Sequence, residues 1–187
     1  PLDINPLRGA LKEFDDYDWV VFSSAAAVDA VIGLRSAPPA HARVAAVGTA
    51  TAAALRRTDW PVDLIPVQAG AEHLAAALLA QEHKVRRVLF PASAIALPAL
   101  ARLLRQAGVE VEQIEAYRIV NVAGAADAWR SDLAKGVVDA VTFASPSAVS
   151  GLRAALNDPA FGKLDGLVVD AIGATTATAL RRNGLTV

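Results

Sequence analysis

Asp18-Trp19-Val20-Val21-Phe22-Ser23-Ser24 and Asp139-Ala140-Val141-Thr142-Phe143-Ala144-Ser145 are two versions of one segment. Each is a short β-branched and aromatic run that stops at a Ser, after which an Ala-rich stretch takes up helical spacing. Asp, Val, Phe and the final Ser coincide, and Ala27-Val28 falls in the same register as Ala148-Val149. A second match follows in the same order. Gly48-Thr49-Ala50-Thr51-Ala52-Ala53-Ala54-Leu55-Arg56-Arg57 aligns with Gly173-Ala174-Thr175-Thr176-Ala177-Thr178-Ala179-Leu180-Arg181-Arg182, sharing Gly, the second Thr, two Ala, Leu and both Arg. Self-similarity at a long offset means that one architecture is built twice.

Outward from these segments, strands are expected at Trp19 to Phe22, Arg43 to Val47, Val62 to Pro66, Arg87 to Phe90 and Val109 to Ile114, with helices near 8–14, 24–35, 50–58, 70–81 and 96–107. Beyond Tyr117 come a helix near 126–134, strand Ala140 to Phe143, helix 146–156, strand Leu167 to Ile172, helix 175–183 and a last strand from Leu185. Helices between successive strands imply parallel pairing through right-handed crossovers, so the fold class is α/β. The first copy continues for two further helix-strand units after its Arg-Arg helix. The second stops at Val187, which leaves about three strands and an expected incomplete lobe.

The composition excludes several functional classes. The chain has 187 residues, of which 54% are hydrophobic and 20% charged, with a net charge of −1; enough apolar surface can be buried to offset ordering entropy. No apolar run reaches the ~18 residues of a membrane span, and no signal peptide is visible. With 18 basic and 19 acidic residues, the overall field attracts neither nucleic acid nor an acidic membrane. There is no Cys, so disulfides, thiolate metal sites and thiol nucleophiles are absent, and a cytoplasmic location is the expectation. The chain also lacks Met and begins at Pro1, as a trimmed sequence would.

Small and hydroxyl residues gather at the strand-to-helix turns: Ser23 and Ser24, Gly48, Thr49 and Thr51, Ser145 and Ser147, Gly173, Thr175 and Thr176. That edge of an open parallel sheet is where ligands bind. Helix N-termini present unpaired N–H groups and a positive dipole end, which suits anions, carboxylates above all. The same residues are ordinary N-caps and tight-turn residues, and Pro146 is an ordinary first helical residue, so both readings stand. Duplication copies caps as faithfully as it copies sites.

Other chemistries find less support. His41, His73 and His83 lack ligand spacing, so no metal is expected. No phosphate-binding loop, dinucleotide fingerprint or nucleophile elbow is present. Arg56-Arg57 and Arg181-Arg182 read as solvated helix ends, and Trp19, Trp60 and Trp129 as packing residues. Tyr117 lies in an extended stretch where the two copies meet, either as a strand residue or facing a ligand.

Taken together, Tyr17 to Ser24, Ala46 to Ala52, Gly108 to Val120 with Tyr117, Val138 to Val149 and Ile172 to Ala177 resemble the uroporphyrinogen-III synthase family over nearly the whole chain, from a strand at Leu2-Asp3-Ile4 to Leu185. The resemblance implies two similar lobes, each a parallel sheet flanked by helices, joined by a two-stranded connector. Residues 8–115 would form the continuous lobe, 1–7 and 116–122 the connector, and 123–187 part of a split lobe lacking the family's opening strand and closing helix. It further implies a cofactor-free lyase, a cytoplasmic monomer, that cyclises hydroxymethylbilane to uroporphyrinogen III with inversion of ring D in an interlobe cleft. Tyr117 would then serve the departing hydroxyl, and the turn residues would bind carboxylates. Ala25-Ala26 replaces the family's common Asn and Gly, and the loop Pro91 to Ala96 lacks its Gly and Arg. A non-catalytic tetrapyrrole- or anion-binding module fused to a regulator is the alternative. A two-lobed sugar- or amino-acid-binding protein is a third reading, without an export signal in what is present.

Overall fold

The computed structural model describes residues 2–93, 98–118, 120, 125–156 and 158–187. Parts of four expectations fall outside them: residues 96–97 of the expected fifth helix, Ala94 to Ala96 of the loop lacking Gly and Arg, positions 1, 119, 121 and 122 of the connector, and positions 123, 124 and 157 of the split lobe. The chain divides into two compact units, Pro1–Ile119 and Val120–Val187.

The first unit contains α1 (Asn5–Lys12), β1 (Trp19–Phe22), α2 (Ala25–Ile32), β2 (Arg43–Ala46), α3 (Thr49–Arg56), α4 (Ala71–Leu79), β3 (Arg87–Ser93), α5 (Pro98–Gln106) and β4 (Glu110–Tyr117). Its strands form a parallel sheet in the order β2-β1-β3-β4. All four residues of β1 are buried, as a central parallel strand covered on both faces requires. Val20, Phe22, Val44, Ala46, Leu89, Ile114 and Ala116 pack beneath α1, α2 and α3. The alternate residues Trp19, Val21, Ala45, Val88, Phe90 and Val111 pack against α4 and α5. Trp60 closes the first of these cores, meeting Phe14 and Phe22 edge-on at 5.8 and 5.9 Å while its indole N–H reaches Ser36 O.

The second unit contains α6 (Ala125–Lys135), β5 (Ala140–Phe143), α7 (Pro146–Leu156), α8 (Asp158–Gly162), β6 (Val168–Ala171) and α9 (Ala174–Arg182). Strands β5 and β6 pair in parallel. Val141, Phe143 and Val169 point into a core with Val149, Leu156, Phe161 and Leu180, whereas Val168 and Ile172 on the other face are 67% and 78% exposed. The repeat read from the sequence is therefore structural. Asp18 O accepts Arg43 N and Phe22 O accepts Val47 N, just as Asp139 O accepts Val168 N and Phe143 O accepts Ile172 N.

Local expectations differ from the structure in five places, one being that β3 runs on through residues 91–93, the start of the expected loop. Leu2 to Ile4 form no strand, because Asp3 takes the Asn5 amide and Pro6 enters the first turn of α1, which begins three residues before the expected helix. Val62 to Pro66 form a single bridge, Ala45 to Leu64, since Pro61 and Pro66 bracket the run and the Asp63 carboxylate takes the Val44 amide. Leu185 starts no strand; it is buried against the second core. The short helix α8 lies in a stretch read as loop.

Candidate functional site

The carboxyl ends of the four strands in the first unit lie side by side, and these ends with the segments that follow them carry six of the eleven expected site residues. At the end of β1, half-buried Ser23 precedes Ser24, whose Oγ accepts the Ala27 amide at 3.2 Å and caps α2. At the end of β2, Gly48 is the N-cap of α3 in an extended conformation. A Cβ there would stand 3.2 Å from the Ala69 Cβ, so the close passage of residue 69 favours Gly. The α3 cap has no side-chain hydrogen bond, which leaves its first amides to solvent or ligand. Thr49 is exposed beside them, while Thr51 is only 5% exposed and packs inside the first turn.

A bulge determines where Tyr117 points. In β4, Glu112, Ile114 and Ala116 face the core beneath α1–α3, and Val111 faces the opposite core. Unbroken alternation would send Tyr117 to the α4–α5 side. The register shifts between Ala92 and Ser93, so that Ala92 opposes Glu115 and Ser93 opposes Tyr117, leaving one extra residue in β4. Tyr117 thereby packs against the α1–α3 core, and its Oη accepts a hydrogen bond from Ser24 Oγ at 3.0 Å. Two expected site residues 93 positions apart thus meet. Next to them, Arg118 holds Glu115 through two bonds of 2.7 and 2.8 Å and keeps that carboxyl below its ordinary range.

In the second unit the corresponding caps recur. Ser145 Oγ accepts the Ala148 amide at 3.2 Å and lies 2.9 Å from Ser147 Oγ. Gly173 is the extended N-cap of α9, again without a side-chain bond, with no heavy atom within 4 Å of a built Cβ. Thr175 is exposed, and Thr176, like Thr51, is buried, at 4% exposure. Pro146, Thr175, Thr178 and Arg182 line an open depression of about 510 Å³ in this unit. The matched caps thus agree in backbone role and differ in what the hydroxyl touches.

Two residues at these edges escaped the sequence reading. Ser93 is 4% exposed and stands opposite Tyr117; a polar residue closing the apolar run Val88 to Ala92 was the available signal. Arg182, read as a solvated helix end, remains exposed but borders the α9 depression. His41, His73 and His83 are exposed, and the described residues include no cluster of three or more metal-ligating side chains. Trp19 and Trp60 are core residues, and Trp129 packs partly buried on the second core. No helix among the described residues is long and apolar enough to cross a membrane.

Comparison with known proteins gives a consistent result. A family model described as Uroporphyrinogen-III synthase HemD matches residues 1–187. A Methanothermobacter thermautotrophicus protein provisionally named as a uroporphyrinogen-III synthase is 32% identical over 189 residues, covering 96% of this chain and 75% of its own length. The chloroplastic uroporphyrinogen-III synthase of Oryza sativa is 30% identical over 98% of this chain and 61% of its own length. Among solved structures, a mutant uroporphyrinogen III synthase from Thermus thermophilus superposes with a TM-score of 0.70 at 22% identity, covering 99% of this chain and 76% of that one. The Helicobacter pylori uroporphyrinogen-III synthetase gives 0.61 at 17% identity, with 99% and 78% covered. At these identities the superpositions speak for the fold.

Proposed function

Because the chain belongs to the uroporphyrinogen-III synthase family, whose members cyclise hydroxymethylbilane in haem biosynthesis, we propose that its strand-end turns and Tyr117 carry out that cyclisation with inversion of ring D. The enzyme is a lyase acting on a small molecule. Its substrate is a linear tetrapyrrole with eight carboxylates, which closes spontaneously without inversion to the type I isomer. The catalyst must therefore direct which pyrrole carbon attacks as well as hasten closure.

The observation that carries the residue assignment is the meeting of Tyr117 with the capped start of α2. Amides at the starts of α3 and α9, with Ser23, Thr49, Ser145, Ser147 and Thr175, hold peripheral carboxylates, and the buried Thr51 and Thr176 stiffen those helix turns from beneath. Preorganised N–H donors suit this task because they need little reorientation as the substrate folds. Gly48 and Gly173 let a carboxylate approach the backbone. Tyr117 gives a hydrogen bond to the hydroxyl that leaves the bilane as water. The substituted ring D carbon attacks the methylene so exposed and forms a spiro intermediate. Its older bond to the neighbouring ring's methylene breaks, and the free ring D carbon bonds that methylene and gives up its proton to close the inverted ring. A phenol is a modest acid but a good hydrogen-bond donor at neutral pH. Cytoplasmic location and a monomeric state complete the reading.

The test uses the full-length protein in a coupled reaction in which porphobilinogen and hydroxymethylbilane synthase generate the bilane, with oxidised products separated chromatographically. Type III product should dominate and scale with enzyme, and Tyr117→Phe should slow its formation roughly 10- to 100-fold without abolishing it. Type I alone, from folded protein at every concentration, would refute the catalytic reading and leave a ligand-binding module.

A further inference from the structure

We infer that Ser24 is a positioning residue that fixes the proton direction of Tyr117, a conclusion that rests on the cyclisation proposed above. The Ser24 hydroxyl has one proton and two acceptor lone pairs. Its oxygen takes the Ala27 amide at 3.2 Å, and its proton goes to Tyr117 Oη at 3.0 Å. Once the phenol oxygen accepts from Ser24, its own O–H is released from the protein side and turned toward whatever approaches the carboxyl edge of the sheet. Without that partner the phenol could rotate to donate inward, and its hydrogen bond would be spent on the protein.

Two features show that this contact is built rather than incidental to capping. The equivalent cap in the second copy, Ser145, takes its amide at the same 3.2 Å but has Ser147 as its neighbour, so a cap of this kind does not need a phenol. The extra residue of β4 places Tyr117 on the α2 side of the sheet, where Ser24 can reach it. Chain length and cap chemistry, independent of each other, converge on one hydrogen bond. Ser24 thereby acts on the reaction through Tyr117 instead of gripping a carboxylate itself.

The test is a double-substitution cycle in the full-length protein, reading kcat, KM and the type III to type I ratio. Ser24→Gly keeps the helix cap at little cost while removing the hydroxyl. The expected result is a roughly tenfold fall in kcat with KM changed less than about twofold, a loss that nearly vanishes in the Tyr117→Phe background, and recovery in Ser24→Thr. Should Ser24→Gly fail to fold, Ser24→Asp caps equally well and can only accept; its loss of kcat must also vanish in the Tyr117→Phe background. A rise in KM at unchanged kcat would make Ser24 a carboxylate ligand and overturn the inference, as would losses that multiply in the double variant. Either result from a wild type that forms type III leaves the cyclisation standing. A wild type that forms type I alone removes the cyclisation, and the inference with it.

Discussion

Asp18 ties together the amino ends of three strands, and removing its carboxylate tests how much of the first unit depends on that knot. Its Oδ2 accepts the Arg86 and Arg87 amides at 2.6 and 2.9 Å, while its own N–H and C=O bond Arg87 O and Arg43 N. Bonds to a charged acceptor contribute about 1.5–3 kcal/mol when buried. These amides are in an exposed setting and regain water, so roughly 1 kcal/mol each, or about 2 kcal/mol for Asp18→Ala, is the expected loss. Among the described residues Asp139, its counterpart in the repeat, makes the backbone bond to Val168 but no such side-chain pair. Asp139→Ala should therefore cost less than about 0.5 kcal/mol. Urea unfolding followed by tryptophan fluorescence separates the two units when Trp129→Phe leaves Trp19 and Trp60 as reporters of the first. With a slope near 2 kcal/mol per molar, Asp18→Ala should lower the first unit's midpoint by about 1 M. Equal, small shifts for the Asp18 and Asp139 substitutions would refute the argument that the carboxylate, not the shared strand position, does the tying.

Other expectations follow from single contacts. Tyr17 is 3% exposed and donates to Glu112 Oε2 at 2.5 Å; burial first, and that bond second, push its pKa well above the usual value. The neutral phenol's contribution to stability is fully present below the unfolded pKa near 10 and is lost as pH climbs from there toward the folded value, so unfolding midpoints should fall above about pH 10 and Tyr17→Phe should flatten that decline. At neutral pH the same substitution should cost about 1.5 kcal/mol in a urea titration, the low end because Glu112 stays partly solvated beside Arg87. Gly173→Ala meets open space and an extended backbone, so its melting temperature should match wild type while its KM rises if a carboxylate approaches there; an unchanged KM would remove Gly173 from the site. Gly48→Ala must displace Ala69 and should lower both stability and activity.

What the sequence disclosed and what it hid have physical causes. Strands β1 and β5 were legible to the residue, because four-residue apolar or alternating runs end at a Ser whose capping role is local. The repeat alone makes Ser24 and Ser145 equivalent, since caps are copied with the turns that need them. Val62 to Pro66 reads as a strand because β-branched residues such as Val62 and Ile65 favour pleated backbone, yet whether a run pairs depends on Pro61 and Pro66 and on Asp63 competing for the Val44 amide. The contact between Ser24 and Tyr117 was invisible for another reason: it depends on a register shift between β3 and β4, a property of two strands together that no single run of residues encodes. Ser93 was hidden with it.

The bulge in β4 also makes this segment a counting device. Side-chain parity in a strand reverses with every residue gained or lost. Smoothing the bulge at unchanged length, with Ala116 opposite Ser93, would carry the phenol through to the α4–α5 side with every side chain still present. Deleting one residue between Ile114 and Tyr117 would instead straighten the ladder and leave the phenol opposite Ser93. An exposed loop such as 82–84 tolerates insertions because nothing downstream depends on its length being odd or even. Natural variants of this fold should accordingly vary freely in the lengths of such loops, and between Ile114 and Tyr117 should lose a residue only together with the bulge.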